Sequence, residues 1–267
     1  MTRVPVGDLQ WNVIQQGAGQ PILLVHGFPL DHQMWHGQIR DLSEDFHVIA
    51  PDLRGFGQSD AAGSTVLMEQ YADDLALLLD QIGVQQKVVL CGLSMGGYIC
   101  WQFWRRHTDR ISHLILCDTR SVPDPPEVAA TRLETAQQVL EHGPGILVDG
   151  MIPKLFSQRT RLQNRSVVTA TAQVIESAQR EGVAAALRGM AQRVDATPWL
   201  SEIQLPTLVL CGQQDAISGV AEMQGIADAI PQSQFAVIPA CGHMAPLEGP
   251  IHTNKSIREF LGVARRA

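Results

Sequence analysis

A serine set between glycines is the residue of this chain best suited to nucleophilic chemistry. Ser94 lies in the run Gly92-Leu93-Ser94-Met95-Gly96, after the apolar residues 87–91 and before the helix-patterned residues 98–103. A sharp strand-to-helix turn strains the backbone of such a serine, and the glycines let neighbouring chain approach closely. The turn exposes the hydroxyl, and the helix N-terminus favours negative charge beside it. Ser94 is the predicted nucleophile; the alternative is a glycine-rich turn without chemistry.

A serine hydroxyl needs a base to take its proton, and the base needs a partner that fixes its tautomer. His243 follows the apolar run 235–238, and Asp215 follows the apolar run 206–211. The residues between them suffice for one helix, near 220–229, and one strand. In a parallel sheet such a unit brings both loops to the carboxyl edge, where ligands usually bind. We expect His243 to be the base and Asp215 to orient it.

The elements that must position these residues follow from hydrophobic patterning. Short apolar runs alternate with helical patterns such as residues 67–82, whose helix is predicted to end at Gly83. This alternation predicts an α/β fold in which a mostly parallel central sheet is covered by helices on both faces. The strands expected before Ser94 lie at 11–15, 21–26, 46–51 and 87–91, and a further strand is expected at 114–117.

Residues 119–198 depart from this rhythm, because a simple crossover between neighbouring strands needs far fewer residues. The segment opens with the rigid run Pro123-Asp124-Pro125-Pro126 and continues with alanine-rich, helix-favouring stretches. We predict a helical cap insertion at 119–198 on an α/β core formed by 1–118 and 199–267. Such a cap would exclude water and supply most of the substrate pocket; the alternative is a packing scaffold. Its helices are expected near 128–141, 166–180 and 183–193.

The order Ser94, Asp215, His243 resembles the nucleophile, acid and base order of the α/β-hydrolase family. The run Val25-His26-Gly27-Phe28-Pro29, the glycine-rich residues 52–59 and the Gly-His pair at His243 agree with it. The resemblance covers nearly the whole chain. It implies an oxyanion hole formed by the backbone N–H groups of Phe28 and Met95.

Asp118 is an alternative acid. It ends the apolar run 114–117, and some relatives of the family carry their acid at that place. Asp215 is favoured because a glycine, a turn and an aspartate after the strand are the commoner arrangement in the family. Otherwise Asp118 is a strand-end carboxyl group that accepts backbone hydrogen bonds.

The resemblance also implies a reaction class. A serine nucleophile argues against the dehalogenase and epoxide-hydrolase branches, whose nucleophile is aspartate. We expect hydrolysis of a carboxylic ester of a small molecule through an acyl-enzyme. The second candidate is a lactonase similar to the 3-oxoadipate enol-lactonases. Carbon–carbon bond hydrolysis, cofactor-free perhydrolysis and a non-catalytic ligand receptor are less favoured. No metal or organic cofactor is needed for this chemistry.

Composition limits the partners. The net charge of −7 over 267 residues gives no reason to expect nucleic acid or an anionic membrane as a partner. No apolar run approaches the ~20 residues that cross a bilayer, and the first residues lack a secretion signal, so a cytoplasmic location is expected. The five cysteines disfavour a disulfide framework. His26, His32 and His36 lack the spacing of a helical metal site. The sequence does not indicate an oligomeric state.

Overall fold

The core of the protein is a mostly parallel β-sheet. The computed structural model describes residues 1–61 and 63–263; Ala62 and residues 264–267, the end of the predicted core segment 199–267, lie outside the described residues. The described strands form one eight-stranded sheet of order β1-β2-β4-β3-β5-β6-β7-β8. They are β1 (Thr2–Val6), β2 (Leu9–Gln16), β3 (Pro21–Val25), β4 (His47–Pro51), β5 (Val88–Leu93), β6 (Ile111–Cys117), β7 (Thr207–Gly212) and β8 (Ser233–Ile238).

Strands β3, β5 and β7 are buried along their whole length, as expected for central parallel strands covered on both faces. The parallel pairings run from β4 to β8. The loops after β3, β5, β6, β7 and β8 therefore all leave the same edge of the sheet. That edge carries Phe28, Ser94, Asp118, Asp215 and His243.

Strand β1 was not predicted. It pairs antiparallel with β2 at the edge of the sheet, with Val6 opposite Leu9. The two-residue turn between them contains Gly7 at φ 59°, which a hairpin turn favours. Pro5 argues against a central strand, but an edge strand tolerates it. The glycine turn between two alternating runs was the available signal.

Helices cover both faces of the sheet, which confirms the predicted fold class. Residues of α2 and α3 pack on one face, and residues of α1 and α11 pack on the other. Among the described residues, no helix combines the length and apolar character of a membrane span. The helices are α1 (His36–Leu42), α2 (Met68–Gln81), α3 (Met95–His107), α4 (Pro126–His142), α5 (Val148–Leu155), α6 (Gln158–Gln163), α7 (Arg165–Ser177), α8 (Arg180–Met190), α9 (Val220–Ala229), α10 (Ala245–Glu248) and α11 (Pro250–Phe260).

Helices α4 to α8 lie between β6 and β7 and are called the inserted helices below. Helices α4, α7 and α8 correspond to the three helical stretches predicted there. Pro126 begins α4 at a position that proline favours. Helices α5 and α6 were missed because they are short and Pro153 lies inside α5. The boundary between core and cap stays a prediction.

Candidate active site

Ser94 occupies the turn between β5 and α3. Its backbone has φ 54° and ψ −114°, a strained conformation for a residue with a side chain. The Ser94 amide donates to the Cys117 carbonyl (3.0 Å), and the Ser94 carbonyl accepts from the Gly97 amide (2.8 Å). These bonds hold the turn at the carboxyl edge, where the Ser94 side chain is partly exposed.

Glycines allow the chain to pack this closely around Ser94. A Cβ atom on Gly96 would lie 2.2 Å from the Val25 carbonyl oxygen, and one on Gly92 would lie 2.4 Å from the Gly96 carbonyl oxygen. Because these neighbours are backbone atoms of buried elements, neither contact can be relieved by a side-chain movement. The glycines of the motif thus set the distance between α3, β3 and β5.

The loop after β3 passes beside Ser94. A Cβ atom on Gly27 would lie 3.5 Å from Ser94 Cβ, and Phe28 is the next residue. Within the described part of the chain, the backbone N–H groups of Phe28 and Met95 donate to no protein acceptor. Two amide donors near the serine are thus left for another acceptor. This is the arrangement expected of an oxyanion hole.

His243 contacts Asp215. The distance from His243 Nδ1 to Asp215 Oδ2 is 2.9 Å, and both side chains are buried. Asp215 also accepts hydrogen bonds from the Ser218 hydroxyl (2.6 Å) and the Ile217 amide (2.8 Å). Burial acts to raise the pKa of Asp215, but the hydrogen bond and charge of His243 and the other two donors lower it below its usual value. The ionised carboxylate holds the imidazole with Nδ1 towards it.

The Ser94 hydroxyl and the His243 imidazole lie at the same edge of the sheet without a hydrogen bond between them. Among the described residues no hydrogen bond joins Ser94 Oγ to His243. In enzymes without substrate, catalytic hydrogen bonds are often long and tighten only in the complex. The structure therefore brings Ser94, Asp215 and His243 to one edge and shows the contact between the last two.

Asp118 makes no hydrogen bond to the imidazole of His243 among the described residues. Its Oδ1 accepts the Gly212 amide at 2.7 Å, and its fully buried Oδ2 has no hydrogen-bond donor among the described residues. Oxygens of Asp118 and Asp215 and the Cys211 sulfur lie within 4.8 Å of one another. Burial raises the pKa of Asp118 well above its usual value, and the charge of Asp215 raises it further. The contact with His243 thus belongs to Asp215 and not to Asp118.

Two other histidines tie the surrounding loops together. His26 is buried between the Gly27 carbonyl (Nδ1, 3.0 Å) and the Leu53 amide, which donates to Nε2 (3.0 Å); burial lowers its pKa. His32 Nδ1 lies 2.6 Å from Asp52 Oδ1. Burial opposes charge on both, but their mutual hydrogen bond raises the pKa of His32 and lowers that of Asp52 to about 2.

Two groups of described side chains have the spacing of metal ligands, namely Asp31-His32-Asp52 and Asp118-Cys211-Asp215. In the first group His32 is already paired with Asp52, and Asp31 accepts from the Gln33 amide. In the second group Asp215 holds His243. Several of these oxygens therefore already hold loops or the imidazole, whereas Asp118 Oδ2 has no donor among the described residues.

Sequence reasoning missed two side chains at this edge. Ser218 donates to Asp215 from a loop whose serine has no motif around it. Glu248 accepts the backbone amide of Gly242, next to His243, at 2.7 Å. Both contacts depend on how loops pack, and no local pattern indicates them.

An apolar cavity of about 200 Å³ lies between the inserted helices and the loop after β3. Val167 and Val174 of α7 form one wall, and Leu30 and Met34 form the other. Leu247, on the loop and short helix that follow His243, also lines it. The inserted helices thus contribute apolar surface to a cavity whose described lining includes none of Ser94, Asp215 and His243.

Residues 20–250 match the family described as alpha/beta hydrolase fold. Among solved structures, the chain is 46% identical to a thermophilic esterase from Thermogutta terrifontis with malate bound, with a TM-score of 0.95 over 98% of this chain and 97% of that chain. It is 26% identical to the enol-lactonase from Burkholderia xenovorans LB400, with a TM-score of 0.91 over 98% and 100% of the two chains.

A curated relative gives the same result. The chain is 26% identical over 244 residues to 3-oxoadipate enol-lactonase 1 of Acinetobacter baylyi, and the aligned residues cover 91% of this chain and 88% of that protein. The family match spans most of the chain, and the sheet order and the turn at Ser94 agree with it. The chain therefore belongs to the α/β-hydrolase fold family and is a hydrolase.

Proposed function

We propose that this protein hydrolyses carboxylic esters of small molecules, with Ser94 as nucleophile, His243 as base and Asp215 as the acid that orients the base. The observation that carries the proposal is the 2.9 Å contact of His243 Nδ1 with Asp215 Oδ2, at the sheet edge that also holds the strained turn of Ser94. A carboxylate on Nδ1 leaves Nε2 to take a proton from a hydroxyl.

The first half of the reaction forms an acyl-enzyme. Ser94 Oγ attacks the carbonyl carbon of the ester while its proton passes to His243. The negative charge that develops on the carbonyl oxygen is accepted by the Phe28 and Met95 amides, whose lack of protein acceptors supports this role. The carbon–oxygen bond to the alcohol then breaks, and the alcohol leaves with the proton from His243.

The second half releases the acid. Water attacks the acyl carbon and gives a proton to His243, and the bond to Ser94 Oγ breaks as that oxygen recovers the proton. The charge of Asp215 stabilises the imidazolium formed in each half. The reaction balances with water as the sole co-reactant.

The inserted helices are proposed to act as a cap that lines the substrate pocket. The apolar wall formed by Val167 and Val174 supports this role. An apolar wall favours a neutral acyl or alcohol group. A cytoplasmic location stays a prediction.

Lactone hydrolysis is the second candidate, because two of the similar proteins are named enol-lactonases. The higher identity to an esterase puts the open-chain ester first. Matched panels of p-nitrophenyl esters and lactones of equal acyl length separate the two. Higher kcat/KM values for the lactones would replace esterase by lactonase.

The nucleophile is tested with Ser94→Ala. We expect hydrolysis of p-nitrophenyl acetate and butyrate to fall by roughly a thousandfold or more, and a fluorophosphonate to label the parent protein but not the variant. Ser201→Ala, at an exposed serine, is the matched control and should keep full activity and labelling. Full activity in Ser94→Ala would refute the proposal, and an unlabelled, inactive parent would favour a ligand receptor.

A further inference from the structure

The loop that carries His243 is hydrogen-bonded on both sides of the histidine. The Gly242 amide donates to Glu248 Oε1 at 2.7 Å. The Met244 amide donates to the Leu155 carbonyl at 3.1 Å. The second bond reaches the end of α5, which is one of the inserted helices. The backbone on either side of His243 is thus held by groups outside the proposed triad.

Glu248 connects this loop to the inserted helices. Its second oxygen, Oε2, accepts the backbone amide of Ser157 at 3.0 Å and the Ser157 hydroxyl at 2.7 Å. Ser157 is buried and caps the N-terminus of α6 through the Thr160 amide. One carboxylate therefore binds the His243 loop with one oxygen and the α5–α6 junction, Phe156–Ser157, with the other.

Backbone packing makes the connection tight. A Cβ atom on Gly242 would lie 2.7 Å from the Ser157 nitrogen and 2.9 Å from the Phe156 carbonyl carbon. A Cβ atom on Gly212, the last residue of β7, would lie 1.9 Å from the Gly242 carbonyl oxygen. The His243 loop is thus clamped between the end of β7 and the α5–α6 junction, so a shift of the junction must move the loop.

We propose that Glu248 is a positioning residue that couples the α5–α6 junction to His243. The proposal rests on the proposed function, since it assigns Glu248 a role through the base. Among the described residues, Glu248 makes no hydrogen bond to His243 or Ser94, and it acts by fixing the backbone around the imidazole. Because proton transfer requires the base within hydrogen-bond reach of the hydroxyl, a displacement of about 1 Å can cost on the order of a hundredfold in rate.

Glu248→Gln tests the coupling at constant side-chain size. An amide has one acceptor oxygen where the carboxylate has two, so its NH₂ group must face an N–H or O–H donor. We expect kcat for p-nitrophenyl butyrate to fall roughly 10- to 100-fold with KM little changed. The rate of fluorophosphonate labelling at Ser94 should fall in parallel. Glu259→Gln, the same change at an exposed residue of α11, is the matched control and should change neither rate.

Ser157→Ala tests the same connection from the inserted helices and leaves Glu248 in place. We expect a smaller loss of kcat in the same direction, and a Ser157→Ala/Glu248→Gln double variant that loses less than the product of the two single losses. Hydrogen exchange at the Gly242 and Ser157 amides should be faster in Glu248→Gln. If Glu248→Gln does not fold, Ser157→Ala and Glu248→Asp decide the question.

Two results would overturn the proposal. One is wild-type kcat and labelling in folded Glu248→Gln; the other is a lower melting temperature with unchanged kcat per folded molecule, which assigns Glu248 to stability alone. These outcomes differ from failure of the proposed function, in which the parent is not labelled or Ser94→Ala keeps its activity.

Discussion

The pKa values of two neighbouring carboxyl groups, Asp215 and Asp118, shift in opposite directions because their surroundings differ. Asp215 has His243, Ser218 and the Ile217 amide as partners, and they lower its pKa despite its burial. Asp118 is fully buried with one backbone donor, and the nearby charge of Asp215 further disfavours its ionisation. Two close carboxyl groups in such a site cannot both ionise readily. We therefore expect Asp215 to ionise at a lower pH than Asp118.

Asparagine substitutions at both positions test this assignment. Asp215→Asn should lower kcat by roughly 10³- to 10⁴-fold, because an amide cannot stabilise the imidazolium and can hold the wrong tautomer. Asp118→Asn should keep most of the activity, because asparagine resembles a protonated acid and its oxygen can still accept the Gly212 amide. The measurement is kcat and kcat/KM for p-nitrophenyl butyrate between pH 5 and 9. A larger loss from Asp118→Asn would make Asp118 the acid.

Prediction at single residues worked for backbone conformation, where one local pattern determines the turn. The turn at Ser94 is strained, as the flanking glycines predicted. The catalytic roles of Ser94, Asp215, His243, Phe28 and Met95 stay predictions. The pairing of His32 with Asp52 joins residues of two different loops, and no local pattern indicates it.

The position of α3 depends on glycines whose lack of a side chain lets neighbouring backbone atoms pack against them. The Gly96 Cα faces the Val25 carbonyl at the end of β3, and no space remains for a Cβ atom. Any displacement of the start of α3 would also move Ser94 and the Met95 amide, which precede Gly96 directly. The close packing of α3 against β3 therefore also fixes the geometry of Ser94.

Gly96→Ala should destabilise the protein by about 3 kcal/mol, because its Cβ atom would lie 2.2 Å from the Val25 oxygen and buried backbone yields little. The free energy of unfolding in urea measures this. Gly225→Ala is the matched control: Gly225 is exposed within α9 with open space around it. Alanine at position 225 should raise the free energy of unfolding by about 0.5–1 kcal/mol. Equal effects at the two positions would contradict the close packing.

Long, periodic elements were predicted well, and short ones were missed. The predicted helix at 220–229 has the bounds of α9, and the one at 67–82 differs from α2 by one residue at each end. Helices α1, α10 and α11 were not predicted, nor were α5 and α6. Helices α1, α5, α6 and α10 have four to eight residues and hold few turns, so propensity and periodicity give a weak signal and tertiary packing decides them. Helix α11 has eleven residues, and its length does not explain why it was missed.

At the scale of the whole molecule, a buried arginine joins the two ends of the inserted segment to the core. Arg193 follows α8 and pairs with Asp124, which precedes α4; both side chains are almost fully buried. Arg193 also donates to the Val122 carbonyl and lies over the Tyr98 ring of α3, 4.4 Å from its centroid. Burial acts to raise the pKa of Asp124, but the hydrogen bonds of Arg132 and Arg193 lower it.

Arg193→Met should therefore lower the free energy of unfolding by roughly 3 kcal/mol, because it removes one partner of a buried ion pair. The unfolding transition in urea, followed by tryptophan fluorescence, provides the measurement. Arg105→Met changes an arginine of α3 whose ion pair with Glu202 is about half exposed, and it should cost less than about 1 kcal/mol. If Arg193→Met lowers the free energy of unfolding no more than Arg105→Met does, the contacts of Arg193 with Asp124 and the core do not stabilise the inserted helices.

Local patterns in the amino-acid sequence were enough to predict the class of fold and a hydrolase. Hydrophobic periodicity and glycine turns act over a few residues, so the parallel sheet, the turn at Ser94 and the order of the three candidate residues can be read from them. The folded structure was needed to show which carboxyl group touches His243 and that Glu248 links the His243 loop to the inserted helices. It also shows that Asp118 is buried with no ion-pair partner among the described residues. These contacts join residues distant in the chain, and their energies depend on burial and on neighbouring charges that exist only once the chain has folded.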